Sequence, residues 1–317
     1  MKAIVYVAPG KLQLMDVPEP EPRSSEVMIQ VDCVGVCGSE LAGFSQPNPM
    51  RVPPLIMGHE FTGTRLDTEE PVIVNPIVTC RNCDLCLRGS ENLCRQRRIV
   101  GVHRDGAFAE RVAVPKKNTY SKPDGLDPGI AALSEPVANA VHAFRLLQER
   151  NPLPRRVGIV GAGTLGLATA LIASRRGVDV VLCDNAEPRR DLARTLGFAR
   201  VEHRLEGEFD AVFDAVGHPD TRRDSVEHIR PGGTCIWIGL HDSDPGFDAL
   251  DLVRTEKAVV GSFAYLDEDF REAISMVADI DGRWIRRRPL ENGVEAFLEL
   301  LEGVPRQVKT LIEMPSA

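Results

Sequence analysis

The chain has 317 residues, of which 43% are hydrophobic and 26% are charged. This composition excludes an intrinsically disordered or fibrous protein and predicts a globular chain of about two domains. The formal net charge of −8 would repel nucleic acid and anionic lipid. We therefore expect no nucleic-acid partner and no membrane partner, and we favour a small-molecule substrate.

The first 130 residues or so contain short runs of β-forming residues that proline and glycine interrupt. These runs are KAIVYV, EVMIQVDCVGV, EPVIVNPIV and FAERVAVP. Short strands with frequent turns predict a mostly β, irregular domain. We place this domain at residues 1–152, and its N-terminus lacks the apolar core and cleavage site of a signal peptide.

From Pro154 the pattern changes, and apolar strands alternate with helices. The strand segments are VGIV, VDVVLCD, FDAVFDAVG and GGTCIWIGL. Such alternation predicts an α/β domain with a doubly wound parallel sheet and right-handed crossovers, which we place at residues 153–282. The last segment, residues 283–317, contains one helix and one strand, which we expect to return to the first domain.

A glycine-rich turn links the strand VGIV to the helix LATALIASRR. It contains Gly161, Gly163 and Gly166. Glycines at this spacing permit a tight turn and the close approach of a pyrophosphate, and the amides of Thr164 and Leu165 open the helix toward that group. The turn therefore predicts a dinucleotide site, and the structural alternative is a glycine turn that binds nothing.

The acidic residue Asp184 ends the next strand, 23 positions after Gly161. A carboxylate at this point accepts a hydrogen bond from an adenosine ribose hydroxyl and repels a ribose 2′-phosphate. Arg189 and Arg190 lie only one helical turn further on, where they would favour the 2′-phosphate. We predict NAD rather than NADP as the cofactor, with Arg189 near it.

Four of the eight cysteines fall within fifteen residues, at Cys80, Cys83, Cys86 and Cys94. Four thiolates form a closed tetrahedral zinc site with no position open for substrate, so this zinc would be structural. The alternative, unligated surface thiols, would be an oxidation hazard. Metal ligation by cysteines also indicates a reducing compartment, and we expect a cytoplasmic protein.

A second set of metal-ligating residue types is spread over three segments. Cys37 lies in GVCGSE, His59 and Glu60 lie in GHE, and Glu135 lies in LSEPVANAVHA. Each of these residues by itself is more often structural than functional. Together they form the mixed sulfur, nitrogen and oxygen set of a catalytic zinc, which keeps one position open for water or a substrate oxygen.

These motifs occur in a particular order along the chain: GVCGSE, GHE, the four cysteines, DGAFAERVAVP, EPVANAVHA and GAGTLG. In this order they resemble the zinc-dependent medium-chain alcohol and polyol dehydrogenases. The resemblance covers essentially the whole chain and implies a GroES-like catalytic domain followed by a Rossmann cofactor domain. It also implies two zinc ions per chain and a homodimer or homotetramer.

The resemblance assigns expected roles to individual residues. Cys37 and His59 match zinc ligands, and Glu60 and Glu135 match two positions that supply the third ligand in different branches, which leaves that choice open. Ser39 matches the residue that hydrogen-bonds the substrate oxygen, although a turn serine is the alternative. The remaining two matches are Glu40, at a position that orients the histidine ligand, and Lys309, at a position that reaches the cofactor pyrophosphate in some relatives or is a solvated strand lysine.

Two positions depart from the family. Ala42 occupies the position at which many relatives have a histidine that relays the proton, so the relay must be shorter or use water. Gly43 occupies the position at which the sorbitol enzymes present a bulky aromatic side chain, so sorbitol is not supported as the substrate.

We therefore predict a zinc-dependent oxidoreductase that transfers hydride between a secondary alcohol and NAD. The alcohol would be a polyol, a cyclitol, an aminocyclitol or an amino-alcohol. Two alternatives remain open at this stage: a biosynthetic carbonyl reductase that uses NAD(P)H, and a dinucleotide-binding relative without catalytic activity.

Overall fold

The computed structural model describes residues 1–242, 247–303 and 307–315. The chain forms two compact units. The first unit comprises Met1–Glu135, Phe270–Gly303 and the last strand, and the second unit is essentially Pro136–Asp269. These bounds differ from the predicted divisions at 152/153 and 282/283. The division falls inside one continuous helix, Ser134–Gln148, so no loop marks it in the sequence.

The first unit begins with ten short strands. They are β1 (Lys2–Ala8), β2 (Lys11–Asp16), β3 (Glu26–Gly35), β4 (Leu55–Ile56), β5 (Glu60–Arg65), β6 (Pro71–Val74), β7 (Ile77–Val78), β8 (Arg98–Ile99), β9 (Arg111–Pro115) and β10 (Thr119–Ser121). Three short helices lie among and after them: α1 (Gly38–Ala42), α2 (Asp84–Leu87) and α3 (Pro128–Ala132). The predicted mostly β character of this part of the chain is confirmed.

The next part of the chain alternates strands and helices. Its helices are α4 (Ser134–Gln148), α5 (Thr164–Arg175), α6 (Glu187–Thr195), α7 (Pro219–Glu227), α8 (Ala249–Arg254) and α9 (Asp267–Met276). Its strands are β11 (Arg156–Val160), β12 (Asp179–Cys183), β13 (Val201–Glu202), β14 (Phe209–Asp214), β15 (Ile229–Trp237) and β16 (Ala258–Gly261). The chain then continues with β17 (Ile285–Pro289), α10 (Gly293–Glu302) and β18 (Lys309–Glu313).

The sheet of the second unit is parallel throughout, in the order β13-β12-β11-β14-β15-β16. In chain order this is the arrangement 3-2-1-4-5-6 of doubly wound dinucleotide-binding folds, so the predicted fold class is confirmed. Val160 ends the central strand and pairs with Cys183 on one side and Asp214 on the other. The carboxyl ends of β11 and β12 therefore meet at one edge of the sheet.

The first unit contains a large, mostly antiparallel sheet with β3 near its centre. Strand β3 pairs with β5, β9 and β18, and β18 pairs in parallel with β17. The last strand, β18, therefore belongs to the sheet of the first unit. The core beneath these strands is apolar and includes Phe61 and Phe297. Among the described residues, no helix has the length and apolar character needed to cross a membrane.

Candidate active site

Pairing of three strands brings distant segments together at one end of β3. Gly35 is the last residue of β3 and lies opposite Glu60 of β5 and Leu311 of β18. The ligand atoms of Cys37, His59 and Glu60 consequently lie within 4.8 Å of one another. We call these three residues the metal cluster. A thiolate, an imidazole and a carboxylate at this separation suit a zinc ion with an open position.

Glu40 supports the metal cluster through contacts with Cys37, Gly58 and His59. One of its carboxylate oxygens accepts a hydrogen bond from the backbone amide of Cys37 at 3.0 Å. The other oxygen accepts from the amide of Gly58 at 2.9 Å and lies 3.0 Å from His59 Nδ1. When Nδ1 carries the proton, the Nε2 lone pair is left for a metal.

Glu40 and His59 attract each other, and this attraction shifts the pKa values of both groups. Burial alone would raise the pKa of Glu40, but the His59 ring holds it below the usual value. Burial alone would lower the pKa of His59, but the negative charges of Glu40 and Cys37 raise it well above the usual value. Glu40 is completely buried, so its ionised form depends on this pairing.

Ser39 lies beside the metal cluster. Its hydroxyl donates to Cys37 Sγ at 3.3 Å and accepts from Arg51 Nη2 at 3.0 Å. Sequence reasoning missed Arg51. The only signal in the sequence is a single charged residue in the otherwise apolar run before GHE, and its burial could not be read from its neighbours, because Met50 and Val52 are exposed.

Lys309 lies next to the metal cluster, within the first unit. Its ammonium donates to Glu60 Oε2 at 2.5 Å and to the carbonyl of Val36 at 3.1 Å. Burial alone would lower the pKa of Lys309, but the carboxylate of Glu60 raises it. The alternative of a solvated strand lysine is wrong, because the residue is 3% exposed. The contact of Lys309 with the cofactor pyrophosphate stays a prediction.

Glu135 is buried and lies close enough to Lys309 to contribute to the raised pKa of its ammonium. Among the described residues, however, the group with metal-ligand spacing contains Glu60 and not Glu135. Of the two carboxylates that the sequence left open, Glu60 is therefore the one placed with Cys37 and His59.

Replacing Lys309 with methionine should destabilise the protein, because Glu60 would lose the buried cation that it contacts. Breaking a buried pair on one side costs about 3–5 kcal/mol of unfolding free energy. The double variant Lys309→Met, Glu60→Gln removes both charges and should recover most of that loss. Urea unfolding of the three proteins, each with zinc at the cysteine site alone, measures the difference, and a single variant as stable as the wild type would contradict the prediction.

The four cysteines of the predicted structural site lie together in the first unit. We call the segment from Cys80 to Cys94 the cysteine lobe. Its Sγ–Sγ distances are 3.4 Å for Cys80 and Cys94, 3.6 Å for Cys83 and Cys86, 3.9 Å for Cys80 and Cys86, and 4.0 Å for Cys83 and Cys94. A tetrahedral zinc with bonds of ~2.3 Å places its sulfurs about 3.8 Å apart. The backbone amide of Cys86 lowers the pKa of the Cys83 thiol, whereas burial and the neighbouring thiols raise the pKa of the Cys86 thiol to about 12. The four thiols therefore share their protons unequally until a metal replaces them.

The glycine turn, Gly161 to Gly166, follows β11 in the second unit. Gly161 has a φ of +97°, which favours glycine. A Cβ atom at Gly166 would lie 1.6 Å from the carbonyl oxygen of Gly161, so glycine is required there. Gly163 caps the N-terminus of α5, and Thr164 is the first helical residue. The turn therefore has the close packing that the glycine spacing predicts.

Asp184 follows β12 and supports the glycine turn directly. Its Oδ2 accepts from the amide of Ala162 at 2.8 Å, and its Oδ1 accepts from the amide of Ala186 at 2.8 Å. The guanidinium of Arg189 lies 3.6 Å from Oδ2. Each carboxylate oxygen can accept a second hydrogen bond, so Asp184 retains the capacity to bind a ribose hydroxyl.

Comparison with known proteins agrees with both units. Residues 23–124 match the model of the alcohol dehydrogenase GroES-like domain, and residues 164–279 match the model of the zinc-binding dehydrogenase. The chain is 36% identical over 296 residues to an L-threonine 3-dehydrogenase of Streptomyces coelicolor, which covers 83% of this chain and 84% of the relative. It is 31% identical over 302 residues to the L-galactonate-5-dehydrogenase of Escherichia coli (strain K12), with 88% of each chain covered.

A solved structure extends this similarity. Acetophenone reductase from Geotrichum candidum, in complex with NAD, matches with a TM-score of 0.89 at 26% identity, and the match covers 98% of this chain and 96% of that one.

Proposed function

The chain belongs to the zinc-dependent medium-chain alcohol and polyol dehydrogenases, and from this membership we propose that it transfers hydride between a secondary alcohol and NAD. Members of the family are oxidoreductases of CH–OH groups that use zinc and NAD(P). The observation that carries the proposal is the metal cluster of Cys37, His59 and Glu60. Its residues fit a zinc ion in number, in chemistry and in separation.

The residues of the chain divide the work around the reacting alcohol. A zinc ion held by the metal cluster would supply a Lewis acid that lowers the pKa of a bound hydroxyl. Glu40 orients His59, so that the imidazole presents Nε2 to the metal. Ser39 lies within hydrogen-bonding distance of Cys37 Sγ, where its hydroxyl can take the proton that the alcohol loses.

The onward path of that proton is constrained by the neighbours of Ser39. Arg51 donates to Ser39 and remains protonated in proteins, so it cannot accept the proton. Ala42 carries no titratable group. We therefore assign the next step to water.

The proposal of NAD rather than NADP rests on Asp184. A ribose 2′-phosphate would meet a carboxylate that already accepts two backbone hydrogen bonds, and like charges would repel. Arg189 is the opposing influence, because its guanidinium lies 3.6 Å from that carboxylate. The ratio of turnover with NAD to turnover with NADP measures which residue dominates.

The substrate proposed is a secondary alcohol of a polyol, a cyclitol, an aminocyclitol or an amino-alcohol. Two of the relatives are named for L-threonine and L-galactonate, an amino-alcohol and a polyhydroxy acid. The similarity to an acetophenone reductase favours a second candidate, which is reduction of a carbonyl compound at the same site. Equilibrium and the cofactor ratio decide the direction.

Two further proposals concern the state of the protein in the cell. None of the eight cysteines forms a disulfide bond, which supports a reducing, cytoplasmic location. We also propose a homodimer or homotetramer, as the family resemblance implies. Light scattering during size-exclusion chromatography measures the mass of the assembly.

The test of function is the reduction of NAD by the zinc-loaded protein across a panel of polyols, cyclitols, amino-alcohols and simple secondary alcohols. The reverse assay uses the matching ketones with NADH. Turnover of one class in either direction supports the proposal. Absence of turnover in both directions, with zinc bound at the metal cluster, would favour the dinucleotide-binding relative without catalytic activity.

A further inference from the structure

A buried arginine without an ion-pair partner lies beside the proposed catalytic serine. Arg51 is 4% exposed and donates from Nη2 to Ser39 Oγ at 3.0 Å. Its Nε is buried and has no hydrogen-bond partner among the described residues. No carboxylate in the described part of the chain lies within ion-pair distance of its guanidinium. Burying a charge in this way is costly unless an opposite charge compensates it.

Glu40 is a fully buried carboxylate near Arg51, but it makes no ion pair with the guanidinium. The oxygens of Glu40 instead accept from the amides of Cys37 and Gly58 and contact His59 Nδ1. Because a guanidinium stays protonated in proteins, Arg51 remains a cation whose hydrogen-bonding capacity is largely unused.

Gly43 makes room for this guanidinium. A Cβ atom at Gly43 would lie 2.7 Å from Asn48 Nδ2 and 3.4 Å from Arg51 Nη1. A large side chain at position 43 would therefore displace the guanidinium that reaches Ser39. Glycine at position 43 thus leaves free the space beside Ser39 that the guanidinium of Arg51 occupies.

The surroundings of Arg51 are basic, although the chain as a whole is acidic. Met50 and Val52, on either side of it, line a cavity of about 380 Å³ whose other residues include Arg97, Arg98 and His103. Burial, followed by the charges of Arg97, Arg51 and Arg98, lowers the pKa of His103. Arg51 does not line this cavity, but the positive charge of these side chains attracts an anion toward this part of the unit.

We propose that Arg51 binds an anionic substituent of the alcohol substrate, a carboxylate or a phosphate. This inference rests on the proposed function, because it assumes that the alcohol is oxidised beside Ser39. The planar guanidinium pairs with such oxyanions through two parallel hydrogen bonds. Only two hydrogen bonds link Arg51 to Cys37 Sγ, so the anionic group lies a few bonds from the carbon that is oxidised.

The proposal narrows the substrate to hydroxy acids or polyol phosphates, with neutral polyols as weaker substrates. The competing interpretation is that Arg51 only positions the hydroxyl of Ser39. The two interpretations differ in a measurable way. Loss of an anion-binding residue lowers kcat/KM more for anionic substrates than for neutral ones, whereas loss of a residue that only positions Ser39 lowers kcat/KM equally for every alcohol.

The experiment compares matched substrates on the zinc-loaded enzyme with NAD. The panel contains aldonates, alditol 1-phosphates and the corresponding neutral alditols of four to six carbons. The proteins are the wild type, Arg51→Met, Arg51→Lys and Arg88→Met. Arg88 is an exposed arginine of the cysteine lobe, so its variant controls for the loss of one positive charge.

The wild type should prefer one anionic series over its neutral counterparts by about 100-fold in kcat/KM. Arg51→Met should remove that preference, mainly through a higher KM for the anionic series, whereas the loss of its hydrogen bond to Ser39 should lower kcat/KM for both series by the same smaller factor. Arg51→Lys keeps the charge but loses the paired geometry, so it should retain part of the preference. The series with the larger ratio identifies carboxylate or phosphate.

Two results overturn the proposal: equal activity of the wild type on anionic and neutral substrates, and an equal fall in kcat/KM for both series in Arg51→Met. If nothing in this panel is oxidised, the wider panel and the reverse assay decide the proposed function, and calorimetric binding of the same anions to the wild type and to Arg51→Met decides the present inference. Binding that Arg51→Met loses supports it, and no binding overturns it. Arg51→Lys serves the same comparison if Arg51→Met does not fold.

Discussion

Replacing Cys37 with alanine should reduce turnover by at least about 10³-fold, because several kcal/mol of Lewis-acid stabilisation are lost with the metal. The zinc content should fall from two ions per chain to one. Cys37 is the thiolate of the metal cluster and also accepts the hydrogen bond of Ser39. Its loss therefore removes a metal ligand and leaves the Ser39 hydroxyl without the sulfur to which it donates. The measurements are NAD reduction and zinc content by mass spectrometry on the same preparation.

Two cysteines offer matched controls for this substitution. Cys33 lies in β3, just before the segment that carries Cys37, and is buried outside the metal cluster, so Cys33→Ala should keep both zinc ions and most of the activity. Cys94→Ala should lose the other zinc, because Cys94 belongs to the cysteine lobe. Full activity of Cys37→Ala, or its retention of two zinc ions, would show that the metal cluster does not have the proposed role.

Replacing Gly166 with alanine should destabilise the second unit and weaken NAD binding together. The new Cβ would lie 1.6 Å from the carbonyl oxygen of Gly161, and a backbone atom cannot move aside as a flexible side chain can. We expect a loss of about 3 kcal/mol or more, because overpacking costs about 1–3 kcal/mol even where side chains adapt. NAD affinity should fall by about 100-fold, since the turn that presents the helix N-terminus must open.

Gly163→Ala separates stability from binding. A Cβ atom at Gly163 would meet only the guanidinium of Arg189, at 3.7 Å, which is an ordinary contact. This variant should keep its unfolding temperature within a few degrees but lose NAD affinity comparably, because its methyl group would occupy the face that the pyrophosphate approaches. Thermal unfolding and fluorescence titration with NAD measure the two effects. Unchanged NAD affinity in Gly163→Ala would favour a glycine turn that binds nothing.

The features that could be predicted from the sequence are those whose geometry is local. The cysteine lobe is held within fifteen residues, so its ligand spacing is visible in the chain. The glycine turn is equally local, because the steric demand at Gly166 comes from Gly161, five residues earlier. The alternation of strands and helices after Pro154 likewise predicted the parallel sheet, because each strand pairs with a strand close to it in the chain.

The boundary between the units could not be predicted in this way. It falls within the helix Ser134–Gln148, and a continuous helix has no change of pattern at the point where its contacts pass from one unit to the other. The predicted boundary at residue 152 follows the end of that helix, which is where the sequence pattern does change.

The sequence by itself determined the residue types of the metal cluster, the cysteine lobe and the glycine turn. Only the tertiary structure decided that Glu60 rather than Glu135 lies with Cys37 and His59, that Lys309 contacts Glu60, and that Arg51 contacts Ser39. Lys309 and Glu60 are 249 positions apart, and they meet because β5 and β18 both pair with β3. Such a contact depends on strand register across the sheet, and register is set by the packing of the whole core rather than by any local spacing.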